Sequence, residues 1–184
     1  MIRPNWDIFS SKFSTNKELE FEIFSYLLFC REFSLPKGWF GFKNQSAIEK
    51  NPIEYENEVI GFQAKFYSSS LSEHKQDFLK MLDTARRDYP KITKILVYTN
   101  QLWSQTFSKT KGKIIEPKAL TEIQERAQAL GIQLEWVDFE SDFVCIENSD
   151  LAKYYFTNEP FQWLATFWGL VKYKSKYRRT ILCR

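Results

Sequence analysis

The sequence predicts an α/β fold in which helices cover a mixed β-sheet. Three observations support this prediction: a helical segment precedes a hairpin-like pair of strand segments, helical and strand-like runs then alternate, and 43% of the 184 residues are hydrophobic. Hairpins give antiparallel strand pairs, whereas strand–helix–strand crossovers give parallel pairs. The length suits one core. We therefore expect one domain over residues 1–157, followed by an aromatic and basic segment over residues 158–184.

The first predicted element is a helix from Lys17 to Phe33, with Thr15 or Asn16 available as its N-cap. Apolar residues recur along it at helical spacing, at Leu19, Ile23, Tyr26, Leu27 and Cys30. One proline and two glycines in residues 35–42 then mark a connection. This helix should pack on the sheet through its apolar stripe.

Two strands follow, about Gln45–Glu54 and Glu58–Tyr67, joined by the polar turn "YEN". Pro52 implies a bulge, a bend or an edge position within the first strand. The second strand alternates, and its two predicted faces are Ile60, Phe62, Ala64 and Phe66 on one side and Val59, Gly61, Gln63 and Lys65 on the other. One face is therefore apolar and the other carries polar side chains.

The register of this hairpin decides which polar side chains meet. A three-residue turn pairs Glu54 with Glu58 and places Glu49 directly opposite Gln63, on the same face as Lys65. A two-residue turn would slip the register and separate the three residues. We expect the three-residue turn and a cluster of Glu49, Gln63 and Lys65.

The remaining elements alternate between helix and strand. Residues 72–89 predict an amphipathic helix with Phe78, Leu82 and Ala85 facing inward. Residues 91–99 predict a short buried strand, residues 117–130 a helix, and residues 132–137 a last strand. This alternation is typical of parallel crossovers.

A carboxylate, an amide oxygen and an ammonium group on neighbouring strands suit metal-assisted phosphodiester hydrolysis. Mg²⁺ prefers oxygen ligands and keeps several waters, so Glu49, the side chain of Gln63 and the backbone carbonyl of Ala64 are candidate ligands. Lys65 is the candidate to orient or deprotonate the attacking water. Gly61, on the same face, is expected to leave room for a phosphate.

Three segments in order resemble one known family. They are the helix "EFEIFSYLLF" (20–29), the acid-bearing strand "SAIEKNP" (46–52) and the strand "GFQAKFY" (61–67). Together they resemble the PD-(D/E)xK nuclease superfamily, and within it the Mrr-like restriction endonuclease branch, in which Gln stands in the D/E position and gives QxK. The resemblance spans about Trp6 to Val137. It implies a three-layer restriction-endonuclease-like sandwich with the site on the hairpin and helices on both faces of the sheet.

By position, the resemblance assigns Glu22 to the acid of the first helix, Glu49 to the metal-binding acid, Gln63 to the second ligand and Lys65 to the catalytic lysine. It implies DNA cleavage that depends on Mg²⁺, with Mn²⁺ as a substitute. Glu replaces the usual Asp at position 49, and Gln63 removes one negative charge from the metal site. Glu54 is the alternative metal-binding acid, because "NPIE" resembles the PD motif.

Other catalytic chemistries have few candidate residues. His74 is the only histidine, so any Ser/His/Asp triad would have to include it, and a surface histidine at a helix N-terminus is the expected role. The three cysteines are far apart and form no zinc-binding motif. The basic stretch "KTKGK", Lys109–Lys113, lacks the P-loop pattern and is expected as a surface loop between a strand and a helix, with DNA phosphate contact as the alternative.

Charge is distributed unevenly along the chain. The net charge is +3, but the last thirteen residues hold six basic and no acidic residues, which leaves about −3 for the rest. DNA binding by the main domain would therefore need a local basic face. The tail suggests docking on a partner, a membrane surface or the boundary of a larger protein. We expect a cytoplasmic endonuclease without a membrane span, acting in restriction or antiviral defence.

The resemblance also implies DNA as the partner, together with a downstream NTPase or sensor module or a second copy of the chain. The alternative is a catalytically inactive nuclease-like module that binds nucleic acid or a protein.

Overall fold

The structure of the protein, a computed structural model, describes residues 1–35, 48–49, 51–104, 106–108 and 113–158. Its α-helices are α1 (Trp6–Lys12), α2 (Lys17–Glu32), α3 (Lys75–Asp88), α4 (Lys118–Ala129) and α5 (Ser149–Phe156). Its strands are β1 (Ile53–Tyr55), β2 (Glu58–Lys65), β3 (Lys94–Thr99), β4 (Thr106–Ser108), β5 (Lys113–Ile115) and β6 (Gln133–Val137). The predictions for residues 36–47, 109–112 and 159–184 lie outside the described residues.

Four strands form a mixed sheet in the order β1-β2-β3-β6, which confirms the predicted α/β class. β1 and β2 are antiparallel, while β2–β3 and β3–β6 are parallel pairs connected through helical segments. β4 and β5 form a separate antiparallel pair. The sequence did not predict this pair.

The sheet separates two hydrophobic clusters. Leu96 and Tyr98 of β3 belong to one cluster, together with residues of α1, α2 and α5, which we call the aromatic cluster. Ile95 and Val97 belong to the other, together with residues of α3 and α4, which we call the aliphatic cluster. Because successive strand residues point to opposite faces, the two clusters lie on opposite faces of the sheet.

The aromatic cluster depends on two helices that the sequence did not predict, α1 and α5. The Trp6 ring of α1 makes edge-to-face contacts with Phe139 and with Phe156 of α5, at centroid distances of 5.3 and 4.9 Å. Tyr155 of α5 stacks on Phe24 of α2 at 4.3 Å. Such ring pairs add to the apolar area that each aromatic side chain removes from water. The aromatic cluster therefore packs α1 and α5, which are far apart in the sequence, against α2 and β2.

The buried stripe of helix α2 matches the predicted one only in part: Cys30 is buried and Tyr26 and Leu27 pack against the aromatic cluster. Leu19 and Ile23 are 54% and 38% exposed, whereas Phe21, Phe24 and Leu28 are fully buried. The helix carries apolar residues around most of its circumference, so spacing alone does not select one stripe. The phenyl rings bury more apolar area than Leu19 and Ile23 would, which favours the observed orientation.

Helix α3 matches its prediction, since Phe78, Leu82 and Ala85 are buried in the aliphatic cluster. Among the described residues, no helix combines the length and the apolar character needed to cross a membrane.

Candidate functional site

The hairpin turn has two central residues, Glu56 and Asn57, and the predicted three-residue turn is wrong. Both residues have positive φ, 47° and 68°, as a type I′ turn requires. Tyr55 therefore pairs with Glu58, and Glu54 pairs with Val59. The first strand is also shorter than predicted, because β1 begins only at Ile53.

Glu49 nevertheless meets Gln63, because the chain leaves the β1 register before Ile53. Continued back along the chain, that register would place Glu49 opposite Ala64. Instead the Glu49 amide donates a hydrogen bond to the Phe62 carbonyl, at 3.0 Å. Pro52 has no amide hydrogen to continue the ladder. The two-residue turn moves the pairing by one residue from the predicted register. The departure of the chain from this register before Ile53 brings Glu49 back beside Gln63, in agreement with the bend expected at Pro52.

Glu49, Gln63 and Lys65 form the polar group that we call the Glu49 site. The Gln63 amide nitrogen Nε2 donates a hydrogen bond to Glu49 Oε1, and Lys65 Nζ lies 3.3 Å from the same oxygen. The Glu49 side chain is 12% exposed and that of Lys65 is 52% exposed. The two donors offset the cost of burying the Glu49 carboxylate. Lys65 extends into solvent, so the entrance of the site lies at its ammonium group.

Gly61 does not provide space for a phosphate, contrary to the prediction. A Cβ atom at this position would lie 3.0 Å from Ile92 Cδ1 and 3.2 Å from two carbon atoms of Ile48. The absence of a side chain at Gly61 instead lets these two isoleucines pack against β2. Ile48 is buried in the aliphatic cluster, which fixes the backbone next to Glu49.

The Ala64 backbone carbonyl is positioned by the alternation of β2. The Phe62 carbonyl accepts a hydrogen bond from the Glu49 amide, so it points to the edge of β2 where Glu49 lies. Carbonyls two residues apart in a strand point the same way. The Ala64 carbonyl therefore points towards the same edge, next to the Glu49 site.

The two other predicted acids occupy different places. Glu22 lies on α2 one turn before Tyr26, whose ring stacks beside Phe62 at 6.2 Å, so this side of the helix lies over the aromatic cluster, on the face of β2 opposite Gln63. Glu54 is exposed and pairs with Val59, four residues before Gln63 along β2. At about 3.3 Å per residue this separation is about 13 Å, which disfavours Glu54 as the metal-binding acid.

The donor set of the Glu49 site bears on metal binding. Within the ranges that the structure describes, no group of three or more His, Cys, Asp or Glu side chains is placed to hold a metal ion. The site offers one carboxylate, one amide oxygen and one backbone carbonyl. Mg²⁺ sites in nucleotide chemistry often use only one or two carboxylates, with waters and substrate phosphates completing the shell. These donor types are among those that Mg²⁺ accepts, although Gln63 directs its amide nitrogen, and not its oxygen, towards Glu49.

A second polar group surrounds His74, which the sequence analysis had treated as a surface histidine. Ser69 Oγ lies 2.9 Å from His74 Nε2, and Asp77 Oδ2 lies 3.2 Å from His74 Nδ1. The imidazole also stacks on the Tyr67 ring at a centroid distance of 3.9 Å. The sequence signal for this arrangement is local, a serine five residues before and an aspartate three residues after the only histidine.

No protein-family model matches the sequence, and a search of the curated proteins finds no relative.

Proposed function

We propose that the chain is a metal-dependent DNA endonuclease domain with a three-layer restriction-endonuclease-like fold. The observation that carries this proposal is the convergence of Glu49, Gln63 and Lys65 around one carboxylate oxygen beside β2. The order of acid, polar ligand and lysine along the hairpin is that of the QxK variant of the PD-(D/E)xK site. The mixed sheet and the hydrophobic clusters on its two faces also support the proposal.

In this proposal, Glu49, the side-chain oxygen of Gln63 and the Ala64 carbonyl would hold Mg²⁺, and the resemblance adds Glu22 of α2 as a supporting acid. The chemistry supplied by a bound Mg²⁺ is polarisation of a phosphoryl oxygen and acidification of a water. Gln63 directs its amide nitrogen to Glu49, so the amide would have to turn over to present its oxygen to a metal ion.

Lys65 has two roles in the proposed reaction. Its side chain is 52% exposed, so the ammonium group can reach a phosphodiester at the entrance of the site. There it orients the attacking water and balances the negative charge that develops on the phosphate oxygens. The ion pair with Glu49 holds the lysine in place before the nucleic acid arrives.

Nicking of supercoiled plasmid DNA tests the proposal. The unaltered protein is expected to nick the plasmid with Mg²⁺ or Mn²⁺ and to stop when EDTA is added. Lys65→Ala should lower the rate by at least about 100-fold, the usual contribution of a proton-transfer group, with an unchanged circular dichroism spectrum. Lys91→Ala, at an exposed lysine outside the site, is the matched control and should cleave normally. Equal cleavage by Lys65→Ala would contradict the assigned role.

A second candidate function is a nuclease-like module that binds nucleic acid or a protein without cleavage. It is favoured by the hydrogen bonds within the Glu49 site, where donors from Gln63 and Lys65 already neutralise a single carboxylate. This alternative predicts no effect of Mg²⁺ or Mn²⁺ on the melting temperature. It also predicts a gel shift with DNA that weakens steeply as salt is added.

The biological setting follows from the resemblance alone. We propose a role in restriction or antiviral defence in the cytoplasm, with DNA as the substrate. A downstream NTPase or sensor module, or a second copy of the chain, would control cleavage.

A further inference from the structure

We propose that Ser69, His74 and Asp77 form a second active site, a nucleophilic triad that reacts with small activated esters. The distances run in the order that such chemistry requires, 2.9 Å from Ser69 Oγ to His74 Nε2 and 3.2 Å from His74 Nδ1 to Asp77 Oδ2. A serine, a histidine and an acid in this relation are recognised by geometry and not by position in the sequence. The site does not depend on the nuclease proposal.

The imidazole is held in the orientation that the reaction needs. Asp77 accepts a hydrogen bond from Nδ1–H, which leaves Nε2 as the acceptor for the Ser69 hydroxyl. The Tyr67 ring lies nearly parallel to the imidazole, with an interplanar angle of 22°, and blocks rotation towards that side. His74 ends the 3₁₀-helical turn Leu71–His74, and Asp77 lies in the first turn of α3, so both side chains project from regular backbone.

The serine is held by contacts between two strand ends. The Tyr67 amide donates a hydrogen bond to Asn100 Oδ1 at 2.6 Å, and the Tyr67 carbonyl accepts hydrogen bonds from Asn100 Nδ2 and Gln101 Nε2. These contacts fix the backbone two residues before Ser69 to the chain that follows β3. The carboxyl ends of adjacent parallel strands are a common location of active sites in α/β proteins.

The exposure of the triad indicates its substrate class. The side chain of Asp77 is 66% exposed and that of His74 is 26% exposed, and Ser69 is half-buried. The site is therefore open, and it suits a small ester with a good leaving group.

The proposed reaction is acyl transfer followed by hydrolysis. Ser69 Oγ attacks the ester carbonyl carbon while His74 Nε2 takes the hydroxyl proton. The bond to the leaving oxygen breaks, and the proton passes from His74 to that oxygen. His74 Nε2 then takes a proton from a water molecule, whose oxygen attacks the acyl carbon. The bond to Ser69 Oγ breaks, the proton returns from His74 to Oγ, and the carboxylic acid leaves.

The test uses p-nitrophenyl acetate with the whole chain, reading nitrophenolate release and the acetylated peptide by mass spectrometry. Acetyl transfer is expected on Ser69, with the signal lost in Ser69→Ala. Ser68→Ala, at the exposed neighbouring serine, is the matched control and should react like the unaltered protein. Circular dichroism of each variant checks that it is folded. Acetylation confined to lysines, or an unchanged rate in Ser69→Ala, would overturn the proposal.

Variants at the two other positions separate a catalytic from a structural role. His74→Gln should lower the rate of Ser69 acetylation by about 100-fold, since the general base is removed. Asp77 is a positioning residue, and Asp77→Asn should lower the rate by a smaller factor, whereas Asp77→Glu retains the carboxylate and should recover most of it. An unchanged rate in His74→Gln would overturn the triad, and an unchanged rate in Asp77→Asn would remove Asp77 from it.

Discussion

The two faces of β2 are built from alternate residues of one strand but differ in character. One face places Phe62 and Ala64 in the aromatic cluster, where both are buried. The other face places Gln63 beside the Glu49 carboxylate and brings Lys65 to solvent. Packing of Phe62 and Ala64 on the first face holds the strand in place while the second face carries a charged group.

The difference between the faces also explains where the polar group lies. Among the described residues, β1 pairs with β2 only as far as Ile60, and the Glu49 amide donates a hydrogen bond to the Phe62 carbonyl. Lys65 lies at the end of β2 with its side chain 52% exposed, so the ammonium group stays near water. Substitutions on the two faces should therefore have different effects. Those on the face of Phe62 should mainly lower the free energy of unfolding, and those on the face of Gln63 should mainly change metal binding and cleavage.

The largest effect on stability is expected from Phe62→Ala. The Phe62 ring is 1% exposed, stacks on Phe29 at 4.8 Å and makes an edge contact with Tyr98 at 6.0 Å. Truncation of a buried phenylalanine leaves a cavity and typically costs about 3–5 kcal/mol. Urea unfolding followed by circular dichroism measures the loss, and an unchanged denaturant slope would show that the unfolded state is unaffected. A loss below about 1 kcal/mol would contradict the central role of the aromatic cluster.

A smaller effect on stability, with a distinct response to metal, is expected from Gln63→Glu. The substitution removes the amide donor to Glu49 and places two carboxylates together, so the metal-free protein should lose about 1–3 kcal/mol. If the Glu49 site binds Mg²⁺, the added charge should strengthen binding, and Mg²⁺ should raise the melting temperature more than in the unaltered protein.

Gln63→Met is the control for this substitution, since it keeps the size of the side chain without the charge. It should lose stability as well but show no increased response to Mg²⁺. A melting temperature of Gln63→Glu that does not depend on Mg²⁺ would count against a metal site at Glu49.

The sequence predicted the polar face of β2 better than it predicted the hairpin. Alternation along residues 59–66 assigned Gln63 and Lys65 to one face, because a strand has a period of two wherever it pairs. The turn was misread because Glu56 and Asn57 both adopt positive φ without the glycine that usually marks such a turn. Glu49 lies beside its predicted neighbour because the chain bends before Ile53. Pro52 indicated a bend there, but no sequence pattern gives the number of residues by which the register shifts.

The aromatic face was less predictable. α1 and α5 are short, and their stability comes from ring contacts with distant residues such as Phe24 and Phe139, which sequence periodicity does not report. The same tertiary packing selected Phe21 and Phe24 over Leu19 and Ile23 as the buried stripe of α2. Likewise, the contacts of His74 with Ser69 and Asp77 depend on how the chain folds between β2 and α3.

The smallest effect on stability is expected for an ion pair at the edge of the aromatic cluster. Its removal measures how much charge, as opposed to apolar packing, stabilises that cluster. Arg31 of α2 donates two hydrogen bonds to Asp150 of α5, at 2.5 and 2.6 Å, and a third to Asn148. The hydrogen bonds from Arg31 lower the pKa of the Asp150 carboxyl below its ordinary value. The ion pair therefore stabilises the fold above about pH 4, and this stabilisation is lost as the pH falls through the lowered pKa.

Asp150→Asn should lower the free energy of unfolding at pH 7 by at most about 1 kcal/mol, because the carboxylate is 46% exposed and solvent screens the pair. Urea unfolding at pH 7 and at successively lower pH measures the difference between the variant and the unaltered protein. The difference should shrink towards zero below the lowered pKa, where the carboxyl is protonated in both folded and unfolded states. A difference that stays constant with pH would show that Asp150 stabilises α5 through packing or hydrogen bonding alone. In that case the aromatic rings would hold α2 and α5 together without a measurable contribution from charge.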